Sequence, residues 1–186
     1  SVGASIITSV NDQGNSGTCW AQSANAAAET AYLRNNPVEN VDFSDGHLSY
    51  FGNRSKNPDP SDPAYMDGIN YADPYNSGGN NYVSGSTFAR RSGPEFEEFA
   101  PDPDWYGNFL SYSYNQTNRF VSEQHLITNL LVDGHSNATM KFYIQNFGGL
   151  VATYYSMKEG YRYGDITTFY QNQYNSLNAF DTSCSL

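Results

Sequence analysis

The stretch Gln13-Gly14-Asn15-Ser16-Gly17-Thr18-Cys19-Trp20-Ala21 holds the residues best suited to chemistry. A glycine-bearing turn delivers a cysteine to the point where an alanine-rich segment begins. Helix starts present N–H groups and the positive end of the helix dipole, so a thiol placed there loses its proton more readily. The Gln13 amide, six residues upstream of Cys19, can reach beside the sulfur. It would donate a hydrogen bond to the oxyanion of a tetrahedral intermediate, together with the cysteine's own N–H. A thiolate, an oxyanion hole and glycine-given access for a substrate backbone make an acyl-transfer site. Taken alone, Cys19 would equally suit a small buried hydrophobe opening a core helix.

Such a site needs elements to hold it. Ala21, Ala24, Ala28 and Ala31 recur at helical spacing, and alanine both favours helix and lets neighbours approach closely. Asn35-Asn36-Pro37 ends that helix, because proline cannot continue it. Ser44 reads as the N-cap of a second, shorter helix through His47, Leu48 and Phe51. Residues 52–81, rich in proline and glycine, read as a long surface loop, followed by a helix over 82–91 that Ser92-Gly93-Pro94 stops. Residues 5–10 suit a strand or extended arm. Phe120-Val121, 126–132 and 150–155 read as β or mixed segments, with a helix over 138–146 and an aromatic, β-prone tail from Tyr161. The expected class is α+β in two lobes, a helical one over residues 1–110 and a β-rich one over 111–186.

Composition narrows the function. The 186 residues carry a formal charge of -10, with nine Lys and Arg against nineteen Asp and Glu. Nucleic-acid affinity rests largely on cations neutralising phosphates, and no basic cluster exceeds Arg90-Arg91. Residues 20–33, the longest apolar candidate, are broken by Gln22, Asn25, Glu29 and Thr30, so no membrane span is expected. Two cysteines are too few for a disulfide-built scaffold. Abundant Tyr and Asn, scarce Lys and sequons at Asn53, Asn115 and Asn137 lean towards an exported protein, secreted or at the cell surface.

The motif resembles the nucleophile string of papain and the cathepsins, in which Gln-Gly precedes Cys-Gly-Ser-Cys-Trp; here Gln13, Gly14, Ser16, Gly17, Thr18, Cys19 and Trp20 occupy its positions. Asp42-Phe43-Ser44-Asp45-Gly46-His47-Leu48 is similar to the family's Leu-Ser-Glu-Gln-x-Leu helix start. Gly78-Gly79 resembles the glycine pair that hydrogen-bonds an extended substrate, and Gly149-Leu150-Val151-Ala152 the Gly-Pro-Val-Ser-Val strand. Gly78-Gly79-Asn80-Asn81-Tyr82, with Ala89-Arg90-Arg91-Ser92-Gly93-Pro94 after it, looks most like secreted bacterial members. The resemblance implies a two-lobe papain-like fold with a β-barrel-like second lobe, and a peptide or protein substrate without a cofactor. It makes Cys19 the nucleophile, Gln13 the oxyanion-hole amide and Gly17 a wall of the primary substrate site.

The sequence departs from the pattern at three places. Ser16 replaces the first cysteine of the motif, removing a disulfide common near that site, and Thr18 replaces a smaller residue. The larger departure concerns the base. The family's histidine follows the nucleophile by some 130–150 residues, after the Gly149 strand, with Asn or Asp behind it. No histidine follows His135. His47 lies in the matching non-catalytic helix, and His125 and His135 precede Gly149, so all three read as surface or structural. Cys184-Ser185-Leu186 is similar to the stretch just before the family's Asn-His-Ala-Val segment. The expectation is a C-terminal segment or second chain that carries His and Asn, disulfide-linked through Cys184. The alternative is a catalytically inactive binding or adhesion module on the same fold.

Other ligands are less well served. Asp59, Asp62 and Asp67, or Asp102 and Asp104, offer hard oxygens to calcium, but neither set fits an EF-hand and such loops usually form solvated turns. Three scattered histidines and two distant cysteines give no zinc pattern, so no metal site is expected. Tyr161, Tyr163, Phe169, Tyr170 and Tyr174 could stack on sugar, though alternating aromatics more often serve a barrel lobe.

Overall fold

Alanine spacing, a serine cap and an asparagine cap each produce the helix they imply. The computed structural model describes residues 7–36, 40–55, 61, 71–115, 117, 119–125 and 136–151. Four helices occur in the order α1 (Cys19–Asn35), α2 (Asp45–Asn53), α3 (Asn81–Ala89) and α4 (Ser136–Phe147). Among the described residues β-structure is confined to two isolated bridges, Phe43 with Phe96 and Gly93 with Phe120. The expected helical lobe is therefore present, whereas most of the expected β-rich part, including 126–132, 152–155 and the tail from Tyr161, lies outside the described residues.

The Ser44 side chain accepts from the His47 N–H at 2.9 Å and starts α2. Asn80 Oδ1 accepts from the N–H groups of Tyr82 and Val83, which starts α3 one residue earlier than its composition suggests. The expected third helix also ends sooner, because residues 90 and 91 form a turn with Arg91 at φ 61°. Arg34, in the last turn of α1, donates to the carbonyls of Ile144 and Gln145 near the end of α4. A cation there meets the negative end of the α4 dipole.

Helix α1 is central because it is approached from several sides. Trp20, Ala21 and Ala24 pack with Leu48 of α2 and Phe88 of α3, joined by Val83, Val121 and Val151. Burying each large apolar side chain contributes roughly 1.5–3 kcal/mol. On another side the small residues permit backbone contact: a Cβ on Gly149 would lie 2.9 Å from Ala27 Cα, and one on Gly148 3.0 Å from Ala31 Cα. Two further clusters flank this core, one around Leu33, Val41 and Phe43 and one around Tyr75, Trp105 and Phe109.

A third side of α1 is polar. Buried Asn25 donates to the carbonyls of Phe43 and Ser44 and to Asp45 Oδ1 at 2.8 Å. Asp102 Oδ1 accepts from Ser44 Oγ and the Gly46 N–H, and Glu97 Oε1 accepts from the Asp102 N–H. Asp102 is thus a bracing acceptor, not part of a solvated turn, and the sequence reading missed this role. Glu29 accepts from the Phe43 N–H at 2.8 Å and from the Thr8 hydroxyl. Loss of hydration raises the carboxyls of Asp45, Asp102, Glu97 and Glu29 above their ordinary range. The charge of Asp102 adds to the rise at Asp45 and Glu97, Asp42 acts on Glu97 and Glu29, and Glu29 acts on Asp45. Asn53, one of the sequon residues, is also buried, and its amide donates to the carbonyls of Pro74 and Gly78. The folded protein does not present it to a glycan-transferring enzyme.

Two predictions come from this packing. A Cβ on Gly52 would collide with Trp20 Cη2 and lie 3.2 Å from Val83 Cγ1. Alanine in a helix gains up to about 1 kcal/mol over glycine, but overpacking of this kind costs about 1–3 kcal/mol. Gly52→Ala should therefore lower the urea midpoint, and an unchanged midpoint would contradict the Trp20 packing. The second concerns pH. Glu97 is pushed up to about 7 from an ordinary 4.5, mainly by burial and then by Asp102. A raised folded pKa contributes stability that is full below about 4.5 and lost as pH rises through about 7. Glu95, lowered by Thr117, the Phe96 N–H and Arg119 despite partial burial, acts only below that window. His47, lowered to about 4 from 6.5, gains stability as pH rises over the same range, so the difference carries the test: the native urea midpoint minus that of Glu97→Gln should decline from pH 4.5 to 7.5, and a constant difference would refute the raised Glu97 carboxyl.

Candidate active site

The turn before α1 is built by short-range bonds. Ser16 closes it through its N–H to the Gln13 carbonyl at 3.0 Å and its hydroxyl to the same oxygen at 2.7 Å. Its hydroxyl also pairs with Thr18 Oγ1 at 2.7 Å. Ser16 thus uses hydrogen bonds where the resembling family places a cysteine. Gly14 supplies the left-handed backbone, at φ 51°, that the turn requires.

Cys19 is the first residue of α1 and is buried. Thr18 forms no side-chain cap, because its hydroxyl is turned to Ser16, and the first turn holds no acidic residue. The positive end of the helix is left for an anion at this point. The sulfur itself is disulfide-bonded in this structure. A sulfur in an S–S bond has no proton to lose, so a thiolate at this position would require reduction. Cys184 lies outside the described residues.

Of the three expected substrate-binding glycines, Gly17 and Gly79 make close contacts at the start of α1. The Gly17 N–H donates to the Tyr75 carbonyl at 2.8 Å, and a Cβ there would sit 3.3 Å from Asn76 Cα. Residues 73–77 are themselves fixed, since Asp73 Oδ1 accepts from the N–H groups of Tyr75 and Asn76 and Asn53 holds Pro74. Gly79 lies on the face of Trp20, where a Cβ would fall 2.7 Å from indole Cγ. Gly78, at φ 68°, has open space where its Cβ would be. Gln13 stands at the head of the same turn, and its Oε1 is buried with no hydrogen-bond partner. Its Nε2 is the atom an oxyanion would need. The arm leading into the turn is moored by Asn11, which donates to Asp45 Oδ2 at 3.0 Å.

The histidines fall where the sequence leaves them. The His47 ring is buried against Phe51 and Tyr114, and neither nitrogen reaches a hydrogen-bond partner, although the Asn115 carbonyl faces it. Burial lowers its pKa to about 4, partly offset by Glu95 and Asn115, so the ring is neutral near pH 7. His125 Nε2 is 3.0 Å from Glu123 Oε1 and its ring packs on Phe147. His135 lies outside the described residues.

Of the expected calcium ligands, Asp102 accepts from the Gly46 N–H of α2 and Asp104 from the nearby Tyr106 N–H, and Asp59, Asp62 and Asp67 lie outside the described residues. No group of three or more ligating side chains suited to a metal occurs among the described residues. Nor, among them, is any helix long and apolar enough to cross a membrane.

Neither the curated proteins nor the solved structures contain a match to this chain. The family model of the papain family cysteine protease does match, over residues 2–50. That stretch carries Gln13, Cys19 and the Ser44-capped start of α2, and across it the chain is similar to papain family cysteine proteases.

Proposed function

We propose that the protein is a cysteine endopeptidase whose reduced Cys19 attacks the scissile carbonyl of an extended peptide. The observation that carries this reading is the start of α1: a cysteine at the positive end of a helix that has neither a side-chain cap nor an acid in its first turn. The turn that holds Gln13, and the contacts of Gly17 and Gly79, support it. Substrate would lie between two lobes, residues 1–110 and 111–186, and pair with the backbone at Gly78-Gly79. The second lobe is barrel-like in this proposal.

The steps follow from these groups. The Cys19 thiolate bonds to the carbonyl carbon, and the C=O electron pair moves to oxygen, where Gln13 Nε2 and the Cys19 N–H stabilise it. A histidine protonates the leaving amine, the C–N bond breaks, and the acyl group stays on sulfur. Water, deprotonated by the same histidine, then releases the acid and restores the thiolate. That histidine and its asparagine come from a further C-terminal segment or a second chain, because the family order puts them after Gly149 and no histidine follows His135. A chain with two cysteines cannot both hold Cys19 in an internal disulfide and tether a partner through Cys184. The tether would form by exchange, a partner thiolate bonding to the Cys184 sulfur as the Cys19 thiolate leaves. Oxidised Cys19 and the composition support a secreted or cell-surface location.

Intact-mass analysis with a peptidyl epoxide tests the proposal. The protein should take no label before reduction and one label, on Cys19, after it. Peptide cleavage should appear when the histidine-bearing segment is present and vanish in Cys19→Ser. A Cys19 that stays inert after reduction would sink the peptidase reading and leave the inactive binding module.

A further inference from the structure

The residues on both sides of Gln13 are held by one short segment, residues 104–106, and we propose that Tyr106 is a positioning residue for the Gln13 amide, acting through Asp12. The inference rests on the peptidase reading above and deepens it.

Asp12 bridges the two segments with both of its oxygens. Oδ1 accepts from the Gly14 N–H at 2.9 Å, and Oδ2 accepts from the Tyr106 hydroxyl at 2.9 Å. One residue further on, the Asn15 N–H donates to the Trp105 carbonyl at 3.0 Å. Between these bonds Gly14 lies flat on Trp105, where a Cβ would come 2.8 Å from Trp105 Cβ and 2.9 Å from its carbonyl oxygen. Residues 12, 14 and 15 are thus all fixed to 105 and 106, and Gln13 is the residue they enclose.

The clamp has a rigid base. Asp104 accepts from the N–H groups of Tyr106 and Gly107, closing a tight turn. Trp105 packs edge-on against Tyr75, with centroids 5.8 Å apart, and against Phe109 at 5.4 Å. Tyr75 is the residue whose carbonyl holds the Gly17 N–H. The two supports of the Cys19 turn therefore meet in one aromatic cluster, and a shift of 105 would move the loop on both sides of Gln13.

Position matters here because an oxyanion donor works only near 2.7–3.1 Å from where the charge develops. The Tyr106–Asp12 bond is exposed, with Tyr106 67% accessible, so its loss affects alignment more than folding.

Two probes applied to reduced protein separate alignment from nucleophilicity. An acetyl-dileucyl peptide aldehyde adds reversibly to Cys19: the sulfur bonds to carbon and the C=O pair moves to oxygen, which occupies the oxyanion hole. Iodoacetamide alkylates the same sulfur with loss of iodide and uses no such hole. Tyr106→Phe should weaken the aldehyde about 3- to 10-fold, with the iodoacetamide rate and urea midpoint unchanged. Asp12→Ala should act in the same direction. Gln13→Ala should weaken it further, and adding Tyr106→Phe to Gln13→Ala should have no extra effect, since both act through one amide. If Gln13→Ala weakens the aldehyde while Tyr106→Phe and Asp12→Ala do not, the inference is overturned and the peptidase reading stands. Equal slowing of both probes by Tyr106→Phe also overturns it. If the native protein forms no aldehyde adduct, or Gln13→Ala has no effect, the oxyanion assignment fails and takes the inference with it.

Discussion

The Trp20 indole occupies space that two glycines leave open. Gly52 of α2 meets its six-membered ring, and Gly79 meets the atoms around its ring fusion. Because Trp20 follows Cys19 directly, this contact fixes Cys19 against both α2 and the Gly78-Gly79 turn. Interiors pack at crystal-like density, so an intruding methyl group cannot be absorbed without moving one of the three. Leu48, Phe88 and Val151 complete the enclosure. The remaining geometry of the turn is referred to this fixed ring.

A second level of order comes from buried carboxyls rather than from apolar packing. Asn25 of α1 and Asn11 of the arm both donate to Asp45, while Asp102 caps the same helix start from the opposite segment. Acids in such a place are tolerated when they accept several hydrogen bonds, as Asp45 and Asp102 do here. The arm reaching Gln13 is thereby tied to α2 through Asp45.

The local signals in the sequence were faithful because they rest on short-range physics. Ser44 as a cap, alanine spacing in α1 and the Asn35-Asn36-Pro37 stop need only neighbours in the chain, and each is realised. The Gln13–Cys19 string was legible for the same reason. What was not legible depends on partners distant in sequence. Asp102 reads as one more acid in a Pro-rich loop until Gly46 is beside it, and Trp105 and Tyr106 carry no motif that links them to Gly14 and Asp12. The oxidised state of Cys19 was equally invisible, since residue order does not report redox state.

Ser16 has a consequence for the chemistry of activation. In a loop stitched by a disulfide, a reductant that frees the Cys19 sulfur would also attack the stitch beside it. Here the turn is closed by a hydroxyl bonded to the Gln13 carbonyl and to Thr18, and thiols leave those bonds untouched. Reducing agents strong enough to free Cys19 would therefore leave the shape of the turn before α1 intact.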